Sequence, residues 1–170
     1  MTKLHFLSTA VLLLCPLSAF ASGARVCFEA EKTKTIESPL KITRDTTGQT
    51  SGGAFLEIPW DGNKTRGIGK ATYTVNAPQA GVYYLWARCF WANGCGNTIL
   101  VSANNGAQNL LGKDGQYDSW HWVGGRARVK LNKGANTVTL YNRETGVRVD
   151  QFFLCTDQGY IPVGKRKVTQ

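Results

Sequence analysis

Glu29 and Glu31 are separated by a single residue in the short apolar segment 26–31, which is typical of a β-strand. Side chains alternate along a strand, so both carboxylates are expected on one face, with their Cα atoms about 7 Å apart. Two like charges this close are costly unless a cation or a basic side chain lies between them. The pair is therefore either part of a metal site or a solvated pair that faces Arg or Lys.

Asp150 lies in the last apolar segment of the sequence, 147–154. If the first and last strands are neighbours, Asp150 can join the two glutamates. Three carboxylates and a backbone carbonyl are the oxygen ligands that Ca²⁺ prefers, and the loop 46–53 could supply the carbonyl. The predicted structural Ca²⁺ ligands are Glu29, Glu31, Asp150, Thr50 and Ser51.

Aromatic residues are concentrated in two segments, and they suggest a sugar-binding surface. Sugar rings stack on flat aromatic side chains, while polar groups bind their hydroxyls. We predict that Trp91 is exposed in a loop and that Trp86 is buried on a central strand. Trp120 and Trp122 share a strand face, so one or both could instead belong to the core. The predicted ligand-binding residues are Trp91, Trp120, Trp122, Asn93, Asn97 and Arg88.

The first 21 residues have the pattern of a secretory signal peptide. Lys3 precedes an apolar run, 6–14, and Ala19-Phe20-Ala21 matches a cleavage site. Lipid modification at Cys15 is the alternative, although the residues on either side of it fit that pattern poorly. The apolar run is too short for a membrane span. The sequence therefore predicts a secreted protein, located in the periplasm, at the cell surface or outside the cell.

Four cysteines follow the predicted cleavage site. An even number in an exported chain suggests two disulfides, for which three pairings are possible. Cys89 and Cys95 flank a short segment that could close as a loop, which leaves Cys27 and Cys155 on the first and last strands. We predict Cys27–Cys155 and Cys89–Cys95. Zinc is not favoured, because the mature chain has a single histidine and no paired C-x-x-C spacing.

The 170-residue sequence is rich in glycine and contains about ten short apolar segments separated by turn signals. This pattern is typical of an all-β protein, an antiparallel β-sandwich or jelly roll. We predict a signal peptide at 1–21, one domain at 22–164 and a solvated basic tail at 165–170. The net charge of +9 favours acidic partners such as an acidic glycan, or simply keeps the domain soluble. Nucleic acid is not predicted, because the longest basic run lies in the tail.

Catalytic motifs are absent from the sequence. It has no G-x-S-x-G, no H-E-x-x-H and no phosphate-binding glycine loop. No catalytic residue is predicted, although a carboxylate pair for glycoside hydrolysis is not excluded by the number of acids.

Several fragments, in their order and spacing, resemble carbohydrate-binding modules of families 6 and 35. They are Glu29-Ala30-Glu31, Ser51-Gly52-Gly53, the segment 73–88, Asn97-Thr98, Trp120-x-Trp122, the segment 129–137 and Val149-Asp150-Gln151. The resemblance implies a galactose-binding-like β-sandwich with a structural Ca²⁺ at the carboxylates named above. It also implies a sugar site in the loops at one end, where Trp120 or Trp122 matches the family's tryptophan.

The segment before the last strand departs from the family pattern. Residues 143–146 stand where the family often has an asparagine, and Arg88 could pair internally with Glu144. The sequence therefore predicts a non-catalytic, lectin-like carbohydrate-binding module that stands alone after its leader. Two alternatives remain: a protein-binding or structural subunit of an extracellular or cell-surface assembly, and a small polysaccharide-active enzyme.

Overall fold

The computed structural model describes residues 23–170, so the predicted signal peptide and Cys15 lie outside the described residues. Within this range the chain forms eleven β-strands and no α-helix. The strands are β1 (Arg25–Glu29), β2 (Thr35–Ile36), β3 (Lys41–Arg44), β4 (Ala54–Ile58), β5 (Lys70–Ala77), β6 (Gly81–Trp91), β7 (Thr98–Ala103), β8 (Asn109–Gly112), β9 (Trp120–Leu131), β10 (Gly134–Tyr141) and β11 (Val147–Cys155). Residues 23–170 contain no helical segment that could span a membrane.

The strands form two antiparallel sheets, which confirms the predicted all-β sandwich. One sheet has the order β3-β4-β11-β6-β9, and β1 also pairs with β11. The other has the order β2-β5-β10-β7-β8. The inward-facing apolar residues of both sheets form one continuous core, as expected when sheets pack face to face.

β11 is the central strand of the larger sheet and pairs with three others. Its first half pairs with β4, from Val147 to Val149, and its second half pairs with β1, from Gln151 to Cys155. The pairing with β6 shifts register between Val149 and Gln151, which makes Asp150 the irregular residue of a β-bulge. The first and last strands are therefore neighbours, as the sequence suggested.

The two tryptophans of β6 have the opposite placement to the one predicted. Trp91 is fully buried in the core, whereas Trp86 is only partly buried on the outer face of the sheet. The prediction was wrong because β6 runs on to Trp91, and strand alternation puts Trp91 on the same inward face as Leu85 and Cys89.

Neither predicted disulfide is present, and all four described cysteines are free thiols. Cys89 faces the core while Cys95 is exposed in the following loop, so their sulfurs point apart. Cys27 and Cys155 do share one side of the β1–β11 pair. They are not directly opposite, because Cys27 pairs with Phe153 and Cys155 pairs with Arg25. Burial raises the pKa of the Cys27 thiol to about 12, which keeps it protonated.

The C-terminal segment 165–170 is hydrogen-bonded to the sandwich rather than fully solvated. The backbone of Arg166 forms hydrogen bonds in both directions with the Gln151 side chain, each 2.8 Å long. The Thr169 amide donates to the Cys27 carbonyl at 2.9 Å, on the edge of β1 that β11 leaves free. This segment therefore covers part of an edge strand.

Candidate functional site

The three predicted metal-binding carboxylates lie where β1 ends and β4 begins along β11. The bulge at Asp150 turns its side chain into this junction, and the Ala30 amide donates to the Asp150 carbonyl at 2.8 Å. The loop before β4 closes over the junction. There the Ser51 amide donates to Asp150 Oδ1 and the Ser51 hydroxyl donates to Glu29 Oε1, both at 2.8 Å.

Three carboxylate oxygens in this junction are buried without a hydrogen-bond partner: Glu29 Oε2 and both side-chain oxygens of Glu31. Burial raises the pKa of Glu31 to about 7. Burial also raises the pKa of Glu29, although hydrogen bonds from Ser51 and Gln151 oppose the increase. Buried acceptors without partners are costly, so this pair of glutamates is suited to a hard cation that accepts several oxygen ligands.

Asp150 is already paired, which changes its predicted role. Arg88 Nη1 lies 2.5 Å from Asp150 Oδ2, so the predicted pair of Arg88 with Glu144 is replaced by an ion pair with Asp150. The Thr50 carbonyl accepts a hydrogen bond from Lys165 Nζ at 3.2 Å. Within residues 23–170, no group of three or more His, Cys, Asp or Glu side chains is arranged to hold a metal ion. Glu29 and Glu31 are therefore the carboxylates whose oxygens are left without partners in this junction and could hold a cation.

Gly52 is the residue that lets the loop pass close to these carboxylates. A Cβ atom at this position would lie 2.0 Å from Glu31 Oε1 and 3.6 Å from the Glu29 carboxyl carbon. Any larger residue would displace Glu31, so Gly52 and the glutamate pair depend on each other sterically.

Four loops meet at one end of the sandwich: 59–69, 92–97, 113–119 and 142–146. They lie together because β4, β6, β8 and β10 all end there, while the strands that follow them begin there. We call this region the loop end.

Asn63 connects three segments of the loop end. Its Oδ1 accepts a hydrogen bond from the Thr145 amide at 2.8 Å, and its Nδ2 donates to the Cys95 carbonyl at 3.0 Å. Its backbone has a φ of 62°, a left-handed conformation that asparagine tolerates better than most residues. The loop 59–69 is therefore held against the two others by polar contacts from one side chain.

Trp60 is the most exposed aromatic residue of the loop end, with 55% of its surface exposed. Its ring lies against Gly146, where a Cβ atom would be 3.0 Å from Trp60 Cε3. Together with Ala92, Asn93 and Gly96 these residues line a shallow depression of about 40 Å³. An exposed, supported indole beside an amide side chain is an arrangement that can stack on one sugar ring and bind a hydroxyl.

Polar side chains at the loop end are held by one another. The Asn97 backbone N–H donates to Glu144 Oε2 at 3.1 Å, and Arg143 Nη1 lies 2.6 Å from Glu144 Oε1. Burial alone would raise the pKa of Glu144, but hydrogen bonds and the Arg143 charge hold it below its usual value. Asn97 Nδ2 donates to the Tyr117 hydroxyl at 3.3 Å. Glu144 thus acts as an ionised anchor for the loops.

The predicted ligand-binding residues do not form one site. Asn93 and Asn97 lie at the loop end, Trp91 lies in the core, and the other three lie on the outer face of the larger sheet. There Trp120 packs against Phe55 and Phe90, with ring centroids 5.7 Å apart in both pairs.

Arg88 and Trp122 both make internal contacts on that outer face. The Arg88 guanidinium carbon is 5.5 Å from the Trp120 ring centre, and Arg88 Nη1 donates to the Gln49 carbonyl at 3.2 Å. Trp122 Nε1 donates to the Gly164 carbonyl at 2.7 Å. Each of these side chains therefore holds a surface segment onto the sheet.

Trp60 was missed by the sequence reasoning, although a local signal was present. It follows Pro59 and precedes Asp61-Gly62-Asn63, a turn-forming sequence that ends the preceding strand. A large aromatic residue between proline and such a turn is difficult to bury. The sequence of residues 59–63 thus identifies an exposed tryptophan more reliably than the sequence around Trp91 does.

No protein-family model matches the sequence, and no curated protein matches it. Solved structures are similar to it in fold. A family 35 carbohydrate-binding module from Clostridium thermocellum has a TM-score of 0.59 and 23% identity, with 76% of this chain and 98% of that chain covered. The chain therefore has the fold of family 35 carbohydrate-binding modules, as the sequence resemblance implied.

Larger proteins contain a region similar to this chain. A GH26-CBM35 β-(1,4)-mannanase from Podospora anserina has a TM-score of 0.61 and 24% identity, with 82% of this chain and 29% of that chain covered. An exo-β-1,3-galactanase from Phanerochaete chrysosporium has a TM-score of 0.59 and 20% identity, with 79% and 29% covered. The chain thus spans less than a third of the length of these enzymes.

Proposed function

We propose that this protein is a secreted, non-catalytic carbohydrate-binding module whose sugar site is the loop end. The observation that carries the proposal is Trp60, an exposed indole supported by Gly146 and flanked by Asn93. The Asn93 Oδ1 accepts a hydrogen bond from the Cys95 amide at 2.9 Å, which orients the side chain. Its amide nitrogen is then available to a sugar hydroxyl. The fold shared with family 35 modules supports the same function.

The acids near Trp60 support binding rather than hydrolysis. Asp61 accepts hydrogen bonds from the Lys64 and Thr65 amides and from the Thr65 hydroxyl, and these bonds lower its pKa. Glu144 is held by Arg143 and Asn97. A glycosidase needs one carboxylic acid with a raised pKa to protonate the leaving group. Both acids have lowered pKa values, which is the opposite of that requirement.

A structural calcium ion is the second part of the proposal. Glu29 and Glu31 would hold it, because their three oxygens without hydrogen-bond partners form a buried anionic cluster. The loop around Ser51 would complete the site. The bound cation would neutralise the two carboxylates and fix the position of this loop against β1 and β11.

The signal-peptide pattern of residues 1–21 supports secretion. A sugar site open to bulk solvent and a net charge of +9 are compatible with a protein that meets polysaccharides outside the cytoplasm.

The experiment is titration calorimetry of the mature protein with soluble β-1,4-mannan, β-1,3-galactan and dextran. Trp60→Ala should weaken binding of the preferred glycan by about tenfold or more, which corresponds to about 1.4 kcal/mol. Ile68→Ala is the matched control, since Ile68 is another exposed apolar residue of the same loop, and it should leave affinity unchanged. The assignment of the site would be wrong if Trp60→Ala bound like wild type while remaining folded. The function would be wrong if no glycan bound.

A further inference from the structure

We propose a second binding site, for an anionic polysaccharide, in a groove between β8 and β9 where the edges of the two sheets face each other. This inference goes beyond the loop-end site, because it uses other residues and another kind of ligand chemistry. The groove is lined by unpaired cations and two indoles.

The groove consists of two adjoining depressions, each of about 440 Å³. The first lies between residues 110–114 and residues 122–127 and is nearer the loop end. The second lies between residues 103–109 and residues 128–132. The first depression contacts β9 at residues 122–127 and the second at residues 128–130, so the two follow one another along this strand. We call the two depressions together the edge groove.

Four basic residues line the edge groove: Lys113, Arg126, Arg128 and Lys130. All four are exposed, and none forms a salt bridge within residues 23–170. The single acid among the lining residues, Asp114, is bonded to His121 Nε2 at 2.8 Å. The groove therefore carries an excess of positive charge, which attracts a polyanion along its length.

Trp86 and Trp122 provide flat apolar surface in the half of the groove nearer the loop end. Gly125 lies against Trp86, where a Cβ atom would be 2.3 Å from Trp86 Cζ2, so only glycine leaves room for the ring. The Trp86 indole nitrogen is buried and has no hydrogen-bond partner within residues 23–170, so only the ring surface of Trp86 is offered to a ligand. Indoles that can face sugar rings, beside cations that can pair with carboxylates, fit a chain of acidic sugars.

One amide side chain of the edge groove is available to bind a sugar hydroxyl. Asn132 lines the second depression, is exposed, and its side chain forms no hydrogen bond within residues 23–170. Asn104 and Asn109 line the same depression but are held internally, because Asn104 Nδ2 donates to Asn136 Oδ1 at 2.8 Å and Asn109 Nδ2 donates to the Ala107 carbonyl at 3.2 Å. Recognition in the groove therefore depends mainly on its cations and ring faces.

The backbone of β9 disfavours an acidic peptide as the occupant. Gly124 and Gly125 have φ values of 138° and 75°, and the pairing with β6 shifts register beside them. Such an irregularity breaks the straight ladder that an added peptide strand would need. A polysaccharide recognised by its carboxylates and ring faces does not depend on that ladder.

The test is titration of the mature protein with polygalacturonate at low and at high salt. The double variant Arg126→Gln/Arg128→Gln should raise the dissociation constant about tenfold or more, and it should reduce the salt dependence. The control variant Lys34→Gln/Lys167→Gln makes the same change of net charge at exposed positions outside the groove, and it should change affinity by no more than about twofold. Trp60→Ala should bind polygalacturonate like wild type.

Several results would overturn the edge-groove site. They are no binding of polygalacturonate, an equal loss in both charge variants, or a loss caused by Trp60→Ala. Tighter binding of polyglutamate or single-stranded DNA, with the same dependence on Arg126 and Arg128, would assign the groove to another class of polymer. Failure of the loop-end site would appear separately, as neutral-glycan binding that does not respond to Trp60→Ala.

Discussion

Replacing Glu31 by glutamine tests both the cost of ionising this buried carboxyl group and its proposed role in binding a cation. Both carboxylate oxygens of Glu31 are buried without a hydrogen-bond partner, and burial raises its pKa from 4.5 to about 7. The folded, ion-free protein therefore holds this proton more tightly than the unfolded chain does. The resulting stability is fully present below about pH 4.5 and is lost as the pH rises through about 7.

The magnitude follows from the two pKa values. The interval between 4.5 and about 7, at ~1.36 kcal/mol per pH unit, sets a ceiling of about 3 kcal/mol on the ion-free cost of ionising Glu31. The side chain is only half-buried, so solvent screening reduces this to roughly 1–2 kcal/mol. Glu31→Gln should stabilise the ion-free protein by that amount at alkaline pH, and it should change little at acid pH.

Calcium should make the wild type more stable than Glu31→Gln, which is the reverse of the order expected for the ion-free proteins at alkaline pH. An ion that binds only the folded state stabilises it by mass action, by about 2.7 kcal/mol at a hundred times its dissociation constant. Urea unfolding at acid and alkaline pH, with chelator and with Ca²⁺, measures the free energy of unfolding of both proteins under each condition. The reasoning is refuted if the variant is less stable than wild type in chelator at alkaline pH, or if it keeps the full gain from calcium.

Three further predictions concern the packing of the sandwich and are checked by the free energy of unfolding in urea. Trp91→Ala should cost about 3–5 kcal/mol, because it empties a fully buried core position, and the half-buried Trp86→Ala should cost only roughly 1–3 kcal/mol. Gly125→Ala should cost about 1–3 kcal/mol, because its Cβ would overlap the Trp86 ring and its φ of 75° favours glycine, and only the overlap part of this cost should disappear in a Trp86→Ala background. Deleting residues 165–170 should cost roughly 1–3 kcal/mol through the lost hydrogen bonds to Gln151 and Cys27, whereas an unchanged midpoint would mean that the segment is not bound in solution.

The fold could be predicted because alternation and turn signals are local properties of the sequence. The segment 127–131 shows this directly, since its apolar residues face inward and its charged residues face outward. In β6 the same signal is ambiguous, because both faces of the strand carry aromatic residues. Arg88 is the only charged residue on the outer face of β6, and it is buried against Asp150. Trp91 was therefore misplaced by its proximity to a turn.

The two candidate sites differed in how far they could be predicted. The two glutamates are separated by one residue and stay close for that reason, although β1 ends at Glu29 and Glu31 lies in the turn that follows rather than on the strand. The pairing of Asp150 with Arg88 joins residues far apart in the sequence and needed the three-dimensional structure. The loop end depends on contacts between segments that are far apart in the sequence. Asn63 reaches Thr145 across 82 residues, and no local pattern contains that information.

The unequal exposure of the tryptophans has an optical consequence. Among the five tryptophans, all within residues 23–170, Trp60 is the only one that is exposed, and the other four are partly or fully shielded by the sandwich. A water-soluble quencher such as iodide should therefore reduce mainly the red-shifted emission of Trp60. A ligand that stacks on this ring would protect it and shift its emission to shorter wavelength. The unmodified protein thus carries its own fluorescent reporter for the loop end.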